Sequence, residues 1–118
     1  MSTMVDTVVT ALKTSTYFGS AVSRNWPPAF TSLPVAAVSD SLTAISWGDG
    51  HGMPFYQHNM IVHAWVRFDD TRLQAIKDDV VGKVQGTALK IRMERQNELV
   101  EAGGGVHIVT EFTALGPL

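Results

Sequence analysis

Between Gln57 and Val84 the spacing of apolar residues changes once, and the two halves predict a strand running into a helix. In the first half, QHNMIVHAWVRF, Met60, Val62, Ala64, Val66 and Phe68 fall on one side of a period-2 ribbon. Ile61, His63, Trp65 and Arg67 fall on the other. One side is wholly apolar and the other is mixed. In the second half, DDTRLQAIKDDVVGKV, a helical stripe of Leu73, Ile76, Val80, Val81 and Val84 leaves Arg72, Asp78, Asp79 and Lys83 outside it. A short connection at Asp69-Asp70, with Asp69 as N-cap, predicts that the helix folds back onto the even face of the strand. That face is the expected floor of the core.

Upstream, Met4, Val5, Val8, Val9 and Leu12 make a shorter helical stripe. It is expected to run to about Thr16 and to need a sheet to dock on. Thr3 followed by Asp6 resembles a capping box. Pro27, Pro28 and Pro34 mark residues 19–34 as an irregular connector. Val35–Val38 and Leu42–Trp47 read as two strands with a bend at Ser39-Asp40-Ser41, or as one broken strand. The segment Trp47 to Gln57, WGDGHGMPFYQ, is long for a hairpin loop and unusually apolar. Either Phe55 and Tyr56 begin the next strand, or the segment, with Trp47, His51 and Met53, is an arm that closes on a neighbouring subunit. Downstream, Gly86 stands at a helix C-cap. Ala88–Val100 and Val106–Leu115 alternate as a hairpin with an enlarged tip at residues 101–105. The order α, β, β, β, α, β, β predicts a single α+β domain, a mainly antiparallel sheet with two helices packed on one face.

A chain of 118 residues fits one domain. Its net charge of -2 offers no general attraction to nucleic acid. With no cysteine, neither a disulfide framework nor a thiolate metal site is available. No leader pattern and no apolar run long enough to span a bilayer is visible, so an intracellular compartment and no membrane partner are expected.

The search for chemistry finds little. Gly48, Gly50 and Gly52 lack the final glycine and the following helix of a dinucleotide fingerprint. Asp49 is followed by His51 and Met53 where a calcium loop needs acids. His58 and His63 point to opposite faces of one strand, while His63 and His107 meet only if their strands pair. The histidines, His51 included, are therefore read as surface or interface residues. Asp69-Asp70 reads as a helix cap and Asp78-Asp79 as a solvated helix face. Lys90, Arg92, Arg95 and Arg67 form a stripe that Glu94, Glu98, Glu101 and Glu111 interrupt, the mark of cross-strand ion pairs. No catalytic residue, cofactor or metal is assigned.

What remains is the mixed sheet face. Ile61, Trp65, Val109 and Leu115 are too apolar for a free surface and too interleaved with His63, Arg67, His107 and Glu111 for a core. Aromatic, arginine and histidine side chains in such a mixture favour a protein interface. Two helices cover only one side of a sheet, so the expected interface comprises Ile61, His63, Trp65, Arg67 and Val109, with Trp47, His51, Met53, Phe55 and Tyr56 on the loop.

The whole pattern resembles the tail-terminator, or tail-completion, proteins of long-tailed bacteriophages. The resemblance covers most of the chain. It rests on an N-terminal helix ending near Tyr17-Phe18, on Leu33-Pro34-Val35 leading into a strand, on the H-x-W-V pattern at His63 to Val66, and on a helix leading through a glycine break to a final hairpin. The Gly-Asp-Gly-His-Gly loop falls outside that pattern. The resemblance implies a non-enzymatic virion protein of the phage tail, assembled in the host cytoplasm as a homo-oligomer, a hexameric ring. Such a ring would end tail-tube polymerisation, meet the tail-tube protein and the head-completion protein, and let DNA pass without specific binding. The alternatives are another head-to-tail connector protein, or a small α+β ligand-binding or enzyme domain with a pocket under the 47–56 loop.

Overall fold

The computed structural model describes residues 3–24, 33–45, 55–87, 90–101 and 105–116. Trp47, His51, Met53 and the glycines around them lie outside these residues. The elements are α1 (Thr3–Lys13), β1 (Val22–Arg24), β2 (Val35–Ile45), β3 (Phe55–Arg67), α2 (Leu73–Gln85), β4 (Ile91–Val100) and β5 (Gly105–Gly116). They form one five-stranded sheet in the order β1-β2-β3-β5-β4, and every pairing is antiparallel except β1 with β2. Both β3 and β4 run antiparallel to β5, so they are parallel to one another. The chain needs α2 as the crossover between them.

The even face of β3 is the floor of the core, as its spacing predicts. Met60, Val62, Ala64 and Val66 are buried together with Val8 and Leu12 of α1, Ile76, Val80 and Val84 of α2, and Ile108 and Phe112 of β5. Both helices therefore lie on one face of the sheet. Each fully buried Leu, Ile or Val here contributes about 1.5–3 kcal/mol relative to an exposed position. The stripe ends at Phe68, which is 65% exposed rather than inward, because β3 stops at Arg67 and the chain turns there.

Several boundaries differ from expectation for local reasons. Helix α1 ends at Lys13. The Thr14 hydroxyl donates to the Ala11 carbonyl, and the Ser15 hydroxyl accepts from the Tyr17 N–H. Such side-chain bonds compete with helix continuation. Gly19 then takes φ 55, the left-handed region that favours glycine. The expected irregular connector contains β1, held by three parallel pairs to Ala36–Val38 and by a 3.0 Å ion pair from Arg24 to Asp6 of α1. Strand β2 is one continuous element paired with β3 from Val35 to Ile45, and Phe55 and Tyr56 open β3.

At the start of α2 the cap is not Asp69, whose carboxylate faces Arg67 at 3.4 Å. The N-cap position falls on Arg72, which makes no side-chain cap bond, and Asp70 fixes the turn before it: its carboxylate accepts the Arg72 N–H at 2.8 Å and the Arg72 guanidinium at 3.0 and 2.8 Å. These bonds hold the Asp70 carboxyl down at about 2. Gly86 caps the other end, its N–H donating to the Gly82 carbonyl at 2.8 Å. Lys77, at the edge of the stripe, reaches Glu98 of β4 at 2.7 Å.

Candidate assembly surface

The face of the sheet away from the helices is built from alternate residues of four strands. The register sets Ile61 beside Ser39 and Glu111, His63 beside Ala37 and Val109, Trp65 beside Val35 and His107, and Arg67 beside Gly105. Asn97 and Leu99 of β4 follow outside Val109 and His107.

Near the α2 end this face carries its own small cluster. Trp65 is only 6% exposed and packs with Val35 and Ala37, with Ala21 and Leu33 alongside. Its indole stacks on His107 at 4.6 Å between centroids and on His63 at 5.8 Å, both nearly parallel. The expectation that Trp65 stands open on the face is thus corrected. Short side chains on β2 let the indole lie flat across the strands, and the flanking imidazoles complete a satellite core.

A polar chain runs through the same cluster. His63 Nδ1 lies 2.9 Å from His107 Nε2, and His107 Nδ1 lies 3.2 Å from a Glu101 carboxylate oxygen. A carboxylate only accepts, so His107 donates from Nδ1; its Nε2, when the ring is neutral, accepts from His63. Burial first, and the neighbouring His107 second, hold the His63 pKa below the ordinary histidine value. The strands do pair so that His63 and His107 meet, and Glu101 joins them.

Towards the other end the face becomes a shallow concavity of about 790 Å³ between Ile61, Asn59, Arg95, Glu111, Thr113 and Leu115. Its charges are matched, across strands and within β4. Arg95 meets Glu111 at 3.0 Å, and Glu94 accepts from Arg92 at 3.0 Å and from the Thr113 hydroxyl at 2.7 Å. The Thr113 hydroxyl and then Arg92 hold the Glu94 carboxyl below the usual range. Of the cross-strand pairs expected for the basic stripe the structure contains Arg95–Glu111; Arg92 pairs within β4, and Arg67 with Asp69 just beyond its own strand. Leu115 remains 59% exposed.

With this geometry established, the chain can be set beside known proteins. No family model matches it, and no curated protein matches it. Solved structures do match it, among them a chain of the virion of a native gene transfer agent (GTA) particle, with a TM-score of 0.67 over 93% of this chain and 91% of that one. The two share a fold. At 13% identity the likeness is one of backbone architecture.

Of the residues expected at an interface, Ile61, His63, Trp65, Arg67 and Val109 do share one face, with Ile61, His63 and Val109 half-buried and Arg67 exposed. Phe55 and Tyr56 lie at the far end of β3.

The sequence reading missed a second histidine pair. His58 is fully buried on the helix side, its Nδ1 3.3 Å from an Asp40 carboxylate oxygen, so it is neither a surface nor an open-face residue. The signal was available: His58 shares the parity of Met60 and Val62, and Asp40 that of Ala36 and Val38. Among the described residues no group of three or more His, Cys, Asp or Glu side chains is placed to hold a metal ion.

Proposed function

We propose that this chain is a structural subunit of a phage or phage-like particle, one that forms a ring capping the tail tube, ends its polymerisation and joins it to the head-completion proteins. The observation that carries this reading is the near-complete fold likeness to a chain of a virion particle. A sheet with helices on only one face supports it. The opposite face offers Ile61, Val109 and Leu115 among matched charges, the mixture that interfaces use. Ring closure needs two different patches on each subunit, because a heterologous contact closes only by rotation. The open sheet face is one patch, and the segment with Trp47, His51, Met53, Phe55 and Tyr56 is the other. Trp65 and His107 form the packed end of the first patch. A net charge of -2 suits a bore through which DNA slides without being gripped. The test is to measure the mass of the purified chain over a range of concentrations and to image it with tail tubes. Six-subunit rings seated on tube ends are expected; a monomer that never joins a tube overturns the reading.

A further inference from the structure

Strand β4 is one edge of the sheet, and its two halves treat that edge differently. In the first half the ladder to β5 is interrupted between Met93 and Arg95, and Arg92, Glu94 and Arg95 crowd the strand with charge. Bulges and charges are how edges are kept from pairing. The second half, Gln96 to Val100, has neither a bulge nor a basic residue. It instead exposes Leu99 at 54% on one face and Val100 at 71% on the other.

The direction of its main-chain groups follows from one hydrogen bond. The Glu101 N–H donates to the Gly105 carbonyl at 2.8 Å. That pair is therefore a hydrogen-bonded one, and antiparallel pairs alternate. Opposite pairs Val100 with Val106, Glu98 with Ile108 and Gln96 with Thr110 are then the non-bonded kind. Their N–H and C=O groups on β4 point outward, away from β5.

The other edge of the sheet presents a gap at the opposite end of the strands, since the register sets Gln96 and Glu98 level with Val38 and Ala36, the residues that β1 covers. β1 covers only Ala36–Val38 of β2, and among the described residues no strand lies beside Ser39–Ile45 on that side. β2 and β4 run in opposite senses, because each is related to β3 and β5 by antiparallel steps. Two copies placed side by side without inversion, the second slid by about six residues, roughly 20 Å, along the strands so that its β1 clears β4, would therefore bring Gln96–Val100 of one against Ser39–Ile45 of the next in antiparallel pairing.

We propose that the outward edge at Gln96–Val100 pairs with the open edge at Ser39–Ile45 of a second copy of this chain, so that the sheets of successive subunits become continuous. The inference rests on the ring-forming reading and names the contact within it. Pairing would satisfy the outward groups of Gln96, Glu98 and Val100 and bury Leu99 and Val100 on both faces of the seam.

The test is amide hydrogen exchange on the full chain, as dilute monomer and as assembly, with a proline variant alongside. In the assembly, the amides of Gln96, Glu98 and Val100 and those within 39–45 should slow at least tenfold relative to the monomer. Glu98→Pro, which removes one outward N–H, should abolish assembly while Glu98→Ala, which loses the same contact to Lys77, should retain it. Assemblies in which 96–100 stay unprotected, or in which 96–100 are protected and 39–45 are not, overturn this pairing and leave the ring intact. A chain that stays monomeric even with tail tubes overturns the ring and the pairing together.

Discussion

His63 and His107, on neighbouring strands, share a hydrogen bond of 2.9 Å, and the stack of Trp65 on both rings keeps that bond out of water. The native state consequently resists a proton on His63, whose pKa lies below its ordinary value. The unfolded chain takes the proton first, at about pH 6.5. Stability from this site is thus fully present above about pH 6.5 and is lost as the pH falls through the lower folded value. Melting temperatures taken from pH 8 to pH 5 should fall for the native chain and fall less for His63→Gln. Parallel curves for the two proteins would show that His63 does not carry the dependence.

Trp65 offers a separate check, because it is buried in the isolated subunit. Trp65→Ala removes a large buried aromatic that packs on two imidazoles and on Val35 and Ala37, so a loss of about 3–5 kcal/mol is expected in denaturant unfolding of the monomer. A loss below about 1 kcal/mol would mean that the indole is held by a neighbour and not by its own chain.

Period and punctuation make much of this fold legible in the sequence. The even face of β3, the stripe of α2 and the alternation of β5 all point where their spacing says. β1 was not legible, since three residues carry no period and its anchors, Arg24 to Asp6 and the Ala36 N–H to the Ala21 carbonyl, are tertiary. The open face was legible as a set of residues but not as a surface. Alternation tells which way Trp65 points; only the small residues on β2 and the pairing with His107 decide that it is covered. The burial of His58 was readable from its parity, but its partner was not, because register brings together two positions eighteen residues apart.

The start of α2 depends on Asp70. Asp70→Ala removes the acceptor for the Arg72 N–H in the turn before the helix and should cost about 1 kcal/mol, as loss of one such hydrogen bond does. Asp70→Asn keeps an acceptor there and should cost less. The folded carboxyl titrates near 2, below the unfolded value, so its contribution is present above about pH 4 and is lost as the pH falls towards 2. Urea unfolding at pH 7 and at pH 3 would check both statements; an Asp70→Ala protein as stable as the native chain at pH 7 would refute the role of this turn.

The sidedness of the assembly surface gives the last prediction. Leu115 is 59% exposed on the open face, and Phe68 is 65% exposed at the turn that follows β3, on the helix side of its parity. Neither is packed in the subunit, so Leu115→Asp and Phe68→Asp should each change monomer stability by no more than about 0.5 kcal/mol. A charge in the concavity beside Ile61 and Glu111 would be desolvated without a partner if that face docks on another protein, whereas a charge at Phe68 would stay in water. Leu115→Asp should therefore weaken ring formation or tube capping by tenfold or more, and Phe68→Asp should leave both unchanged. Sedimentation of the two variants with and without tail tubes reads this directly, and the reverse ranking would move the interface to the other side of the sheet.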